Sequence, residues 1–170
     1  GLRLRVEEQM SLPPYKGATI RGAFGNAFKR LVCVKRDLVC ESCLIRDQCV
    51  YHYSFETRDL KAASEMGRAF APHPFIIEPP LDRREVFAVG DELEVGLVLI
   101  GKAMDHLPYF IYAFDEMAQN GLGRGRARAK LTDVTTVVDG KQEVIYEAAT
   151  GRLRDTPCGA AHSLSDGNGV

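Results

Sequence analysis

The chain has 170 residues, 45% of them hydrophobic and 26% charged, with 22 basic and 23 acidic side chains and a net charge of −1. That length suits one domain with a proper core, and the composition excludes a disordered chain. Near-neutral charge excludes the blanket positive field of a histone-like protein, but recognition of a phosphate backbone needs only a local basic stripe.

Leu2 to Glu7 alternates Leu2, Leu4 and Val6 with charged residues, the period of a half-buried strand. Pro13 and Pro14 interrupt, and a helix is expected from Ala18 or Thr19, with Ile20, Ala23, Phe24, Ala27, Phe28 and Leu31 as its core stripe. Arg21, Gly25 and Lys29 fall on its opposite side. After a cysteine-rich window, residues 51–71 read as loop or irregular helix. Phe75 to Ile77, fenced by Pro74, Pro79 and Pro80, reads as a short or edge strand. Leu93 to Ile100 is nearly continuous in Val, Leu and Ile, which suits a central strand.

A second helix follows, with Asp105 as its expected cap, Pro108 in its first turn and Leu107, Phe110, Ile111, Phe114 and Met117 as its stripe. Asn120 and Gly121 end it. Leu131 to Val138 and Gln142 to Tyr146 read as a hairpin turned at Asp139-Gly140. With the cysteine-rich excursion removed, the order is β-α-β-β-α-β, so the expected class is α+β with a ferredoxin-like domain over residues 1–147, its insertion at 33–53. Residues 148–170 are expected to be a flexible tail or the start of a second domain. The chain begins with Gly1, which reads as an excised piece of something longer. No apolar run reaches the roughly 20 residues of a membrane span, and no secretory leader is visible, so a cytoplasmic protein with no membrane partner is expected.

Two motifs carry chemistry. Cys33, Cys40, Cys43 and Cys49 are spaced C-x6-C-x2-C-x5-C. The central CxxC puts two thiolates within reach of one tetrahedral ion, and the outer pair closes the shell. Four protein ligands leave no open position, so the site reads as structural zinc, with an iron–sulfur cluster as runner-up. Cys158 stands apart as a free thiol. The second motif, residues 121–130, holds four positive charges and no acid. Gly121, Gly123 and Gly125 let a ligand approach the backbone, and Arg124, Arg126 and Arg128 can each fork onto a phosphate. The loop matches neither a dinucleotide fingerprint nor a Walker loop, since it follows a helix and precedes a strand.

The glycine-rich loop, taken together with the segment Leu12 to Gly25, resembles the RAMP superfamily of CRISPR-associated proteins, closest to its repeat-RNA-processing endoribonucleases. The likeness rests on Lys-Gly-x-x-x-Arg-Gly-x-x-Gly at Lys16 to Gly25 and the glycine-rich basic loop at Gly121 to Arg128. The phrases Pro74-Phe-Ile-Ile-Glu-Pro-Pro and Leu99-Ile-Gly lie between them. It implies an RNA-binding domain, usually one of two in tandem. It also implies CRISPR repeat RNA and other CRISPR-associated proteins as partners, and metal-independent cleavage in which the 2′-hydroxyl attacks the adjacent phosphate. Expected RNA contacts are Lys16, Arg21, Lys29 and the loop residues Gly121, Gly123, Arg124, Gly125, Arg126 and Arg128. No histidine lies in the first helix or in Leu12 to Gly17, which leaves Tyr15, Lys16 and His52 as the candidates for acid–base work. A non-cleaving RNA-binding subunit of an effector complex and a small iron–sulfur redox protein are the alternative readings.

Overall fold

Alternation of apolar and charged residues makes β1 (Leu2–Val6) a strand with Leu2, Leu4 and Val6 buried. The computed structural model describes residues 1–35, 39–56, 72–138 and 140–154. Within them the chain continues through β2 (Met10–Ser11), α1 (Gly17–Val32), β3 (Phe75–Glu78), β4 (Val86–Phe87), β5 (Glu92–Leu99) and α2 (Leu107–Asn120). It ends with β6 (Ala129–Val138), β7 (Lys141–Glu147) and β8 (Arg152–Leu153). The class is α+β.

Six strands form one sheet in the order β3-β5-β1-β6-β7-β8, every neighbouring pair antiparallel. Leu4 pairs with Leu93 on one side and Leu131 on the other, so three leucines form one layer of the core face. The prolines around β3 place it at the sheet edge, as expected, and β5 is interior. On the opposite face Arg3 pairs with Glu92 at 3.5 Å and Asp133 at 3.3 Å, a polar ladder.

Helices α1 and α2 pack against each other, α1 also meeting β3 and α2 meeting β6. Phe24 is the hub. Its ring centre lies 4.6 Å from that of Phe114, 5.5 Å from Phe28 and 5.8 Å from both Phe75 and Phe110. Burying each such ring contributes roughly 1.5–3 kcal/mol, and tilted pairs add to it.

Several details differ from expectation. Helix α1 begins at Gly17, and Leu31, assigned to its core stripe, is exposed, its neighbour Val32 packing against the core instead. Asp105 does not cap α2. A tight turn over Gly101–His106 runs directly into the helix, His106 takes the cap position without a side-chain bond, and Pro108 sits in the first turn where its missing N–H costs nothing. Residues 148–154 do not leave as a tail, since β8 turns back to pair with β7. Gly140 supplies the positive φ (76°) of the β6–β7 hairpin. Asp139, Cys158 and the stretches 57–71 and 155–170 lie outside the described residues.

Candidate nucleic-acid interface

The glycine loop is a built turn. Leu122 and Ala127 exchange backbone hydrogen bonds at 2.9 and 3.0 Å, and the Arg126 N–H donates to the Gly123 carbonyl at 3.2 Å. Gly121 has φ +90° and Gly123 φ +73°. A Cβ on the first would collide with the Arg126 carbonyl, and one on the second with the carbonyl of Ser11. These two glycines therefore serve the turn. Gly125 has a negative φ and open space around its Cα. The turn leaves Arg124, Gly125 and Arg126 exposed.

Arg128 is held within the chain. Its backbone N–H donates to Glu8 at 3.0 Å and its guanidinium reaches the same carboxylate at 2.8 and 2.9 Å. The backbone N–H of Arg128, seconded by its guanidinium, keeps the Glu8 carboxyl below its ordinary range.

Helix α1 presents Arg21, Gly22, Gly25, Asn26 and Lys29 on its outer side. Each interior helical glycine costs about 1 kcal/mol relative to alanine. These residues floor a hollow of about 460 Å³ whose far wall is Tyr51 and Phe55. The Lys29 ammonium lies 5.3 Å from the Tyr51 ring centre, and the Arg21 guanidinium 5.7 Å from that of Phe75. Burial first, and the Glu56 carboxylate second, push Tyr51 up to about 12, so it remains a neutral phenol. The two motifs meet. Asn26 and Arg30 of α1 share a small hollow of about 60 Å³ with Asn120, Gly121 and Arg126, and Arg30 reaches the Asn120 side-chain oxygen at 3.4 Å.

The acid–base candidates are dispersed. Tyr15 is 71% exposed, its ring lying over Gly17 beside Arg21 at the rim of a second hollow of about 360 Å³. Lys16, its neighbour, points the other way and is fully buried. Its ammonium donates to the Asp82 carbonyl at 2.8 Å and carboxylate at 3.2 Å, and lies 5.7 Å from the Phe87 ring centre. His52 is half-buried at the start of the wide, π-helical turn His52–Glu56.

Among the described residues, Cys33, Cys40, Cys43 and Cys49 are unbridged and partly buried. Cys40–Ser42 forms a tight turn in which the Cys43 N–H donates to the Cys40 carbonyl at 3.1 Å. Burial first, then Glu56 and the thiols of Cys49 and Cys33, push the Cys40 thiol up against the opposing Lys29. Cys33 and Cys49 thus each lie within electrostatic range of Cys40. Among the described residues, no three His, Cys, Asp or Glu side chains converge as a metal shell.

Tyr51, Phe55, Asn26 and Glu8 escaped the sequence reading. Only the cost of Gly22 and Gly25 hinted at the hollow that Tyr51, Phe55 and Asn26 line.

A family model described as an N-terminal domain, AF_1859_N, matches residues 1–158, and the chain belongs to that family. It is 29% identical over 142 residues to an uncharacterized protein of Archaeoglobus fulgidus, covering 84% of this chain and 46% of the relative. The chain thus spans less than half the length of that relative. No solved structure matches it. Among the described residues, no helix is long and apolar enough to cross a membrane.

Proposed function

We propose that this chain is the RNA-binding domain of a ribonuclease that processes precursor CRISPR RNA, built on a ferredoxin-like frame. The strand order β3-β5-β1-β6, all antiparallel, with α1 between β1 and β3 and α2 between β5 and β6, supports that frame. The single observation that carries the function is the junction of the two motifs, where Asn26 and Arg30 of α1 line one hollow with Gly121 and Arg126 of the loop. Arg21 and Lys29 line one hollow on α1, Arg126 lines the hollow that joins α1 to the loop, and Arg124 is exposed on that same loop, cations that would track several phosphates of a strand. Lys16 and Arg128 serve as positioning residues, because each is already bound to a carboxylate of this chain.

Cleavage requires a base at the 2′-hydroxyl and cations at the phosphate. Tyr15 is the candidate best placed to meet RNA, beside Arg21. Burial of Lys16 removes a second candidate, and this favours a further reading, a non-cleaving RNA-binding subunit of a CRISPR effector complex. The cysteine window fits a thiolate-loving ion by the chemistry of its donors. Cys33, Cys40, Cys43 and Cys49 would hold a zinc ion that fixes the insertion against α1, and the same donors would suit an iron–sulfur cluster.

The test is incubation of the chain with CRISPR repeat RNA in EDTA. Binding with products ending in a cyclic phosphate supports the processing reading, binding with intact RNA supports the non-cleaving subunit, and absence of binding overturns both.

A further inference from the structure

Gly22 lies exposed in the middle of α1, and no atom stands within 4 Å of the place its Cβ would take. No packing therefore requires a glycine there. Gly25, one turn on, has the edge of the Phe55 ring as nearest neighbour, at 3.4 Å from its would-be Cβ, an ordinary contact. Gly22 therefore leaves a bare strip of helix in the 460 Å³ hollow, while Gly25 lets Phe55 pack close beside it. Tyr51 and Phe55 wall that strip as a stacked pair, their ring centres 5.0 Å apart and their planes 15° from parallel. Arg21 and Lys29 stand at its rim, and among the described residues no acidic side chain lines it. Its volume lies within the roughly 300–1,000 Å³ of small-ligand sites.

A helix bare enough for a flat ligand, an aromatic wall and two cations define a nucleotide slot. We infer that this hollow takes one unstacked nucleotide of single-stranded RNA, its base lying over Gly22 against the Tyr51–Phe55 wall and its flanking phosphates on Arg21 and Lys29. This rests on the RNA-binding reading and adds to it a place where one base is singled out. Asn26, at the edge of the same hollow, carries both a donor and an acceptor for that base. Aromatic stacking tolerates every base, so the preference at this nucleotide comes from Asn26.

The experiment uses the full chain, a short labelled single-stranded RNA of defined sequence, and copies of that RNA with one base deleted at each position in turn. Gly22→Leu fills the slot with a good helix former, and Tyr51→Leu removes the outer ring of the wall. Both variants should fold, Gly22→Leu melting no lower than the parent, and both should bind the intact RNA about ten-fold more weakly. One abasic position should weaken the parent by a similar factor and have no effect on Gly22→Leu. If the parent binds and Gly22→Leu shows the same affinity and the same abasic profile, the slot is wrong while RNA binding stands. If the parent binds no RNA, the underlying reading falls and takes the slot with it.

Discussion

The Lys16 ammonium, fully buried, reaches 66 residues along the chain to the carbonyl and carboxylate of Asp82, at 2.8 and 3.2 Å. The contact ties the start of α1 to the loop before β4, and it turns a lysine of the glycine-helix motif away from solvent. The Asp82 carboxylate itself remains half exposed, so the pair is not sealed from water.

Lys16→Ala should lower stability by about 2 kcal/mol, from the emptied site and the lost bond, whereas Lys16→Met should lose less by keeping the volume. Denaturant melts measure both. The salt dependence of RNA binding in Lys16→Met should match the parent, since this ammonium faces no phosphate.

Burial raises the Asp82 carboxyl, but the hydrogen bonds from Lys16 and the Arg84 N–H outweigh it and hold the group below its ordinary value. A depressed folded value means that the unfolded chain takes up the proton first as pH falls. The pair therefore contributes fully above the ordinary aspartate value of about 3.9, and the contribution is lost as pH drops through the folded value. The stability gap between the parent and Asp82→Asn should narrow on acidification below that point.

Glu8 holds Arg128 across 120 residues of sequence. Glu8→Gln should release that guanidinium toward the loop, raise RNA affinity a few-fold at low salt and steepen the salt slope by about 0.7, the increment for one further phosphate contact on a single strand. An unchanged slope would show that Arg128 lies off the RNA path.

Gly121→Ala and Gly123→Ala should each cost about 1–3 kcal/mol, because both positions have positive φ and a backbone carbonyl where the new methyl would go. Gly125→Ala, with open space and a negative φ, should leave the melting temperature unchanged. Thermal melts of the three variants decide it.

One equivalent of zinc per chain is expected by elemental analysis of colourless protein, falling to none in a Cys40→Ser, Cys43→Ser double variant. Brown protein containing iron would replace zinc with a cluster at the same thiols.

Local patterns of the fold were readable because they are short-range. The alternation of Leu2, Leu4 and Val6, the phenylalanine stripes of α1 and α2, the prolines around β3 and the turn glycine Gly140 all act within a few residues. What escaped depends on distant partners. Nothing near Lys16 announces Asp82, and nothing near Arg128 announces Glu8, so both cations read as free. The ribbon of β2 and β4, two residues each, is too short for any period to show. The basic loop was legible as a motif, but its closure onto α1 through Asn26, Arg30 and Arg126 exists only in three dimensions.

The most direct measurement of the central claim is the salt dependence of repeat-RNA binding by the parent and by an Arg21→Ala, Arg124→Ala, Arg126→Ala triple variant. The variant should melt like the parent, bind far more weakly at low salt and show a slope shallower by about 2, close to 0.7 for each lost phosphate contact. Equal affinity and equal slope in the two proteins would contradict the claim.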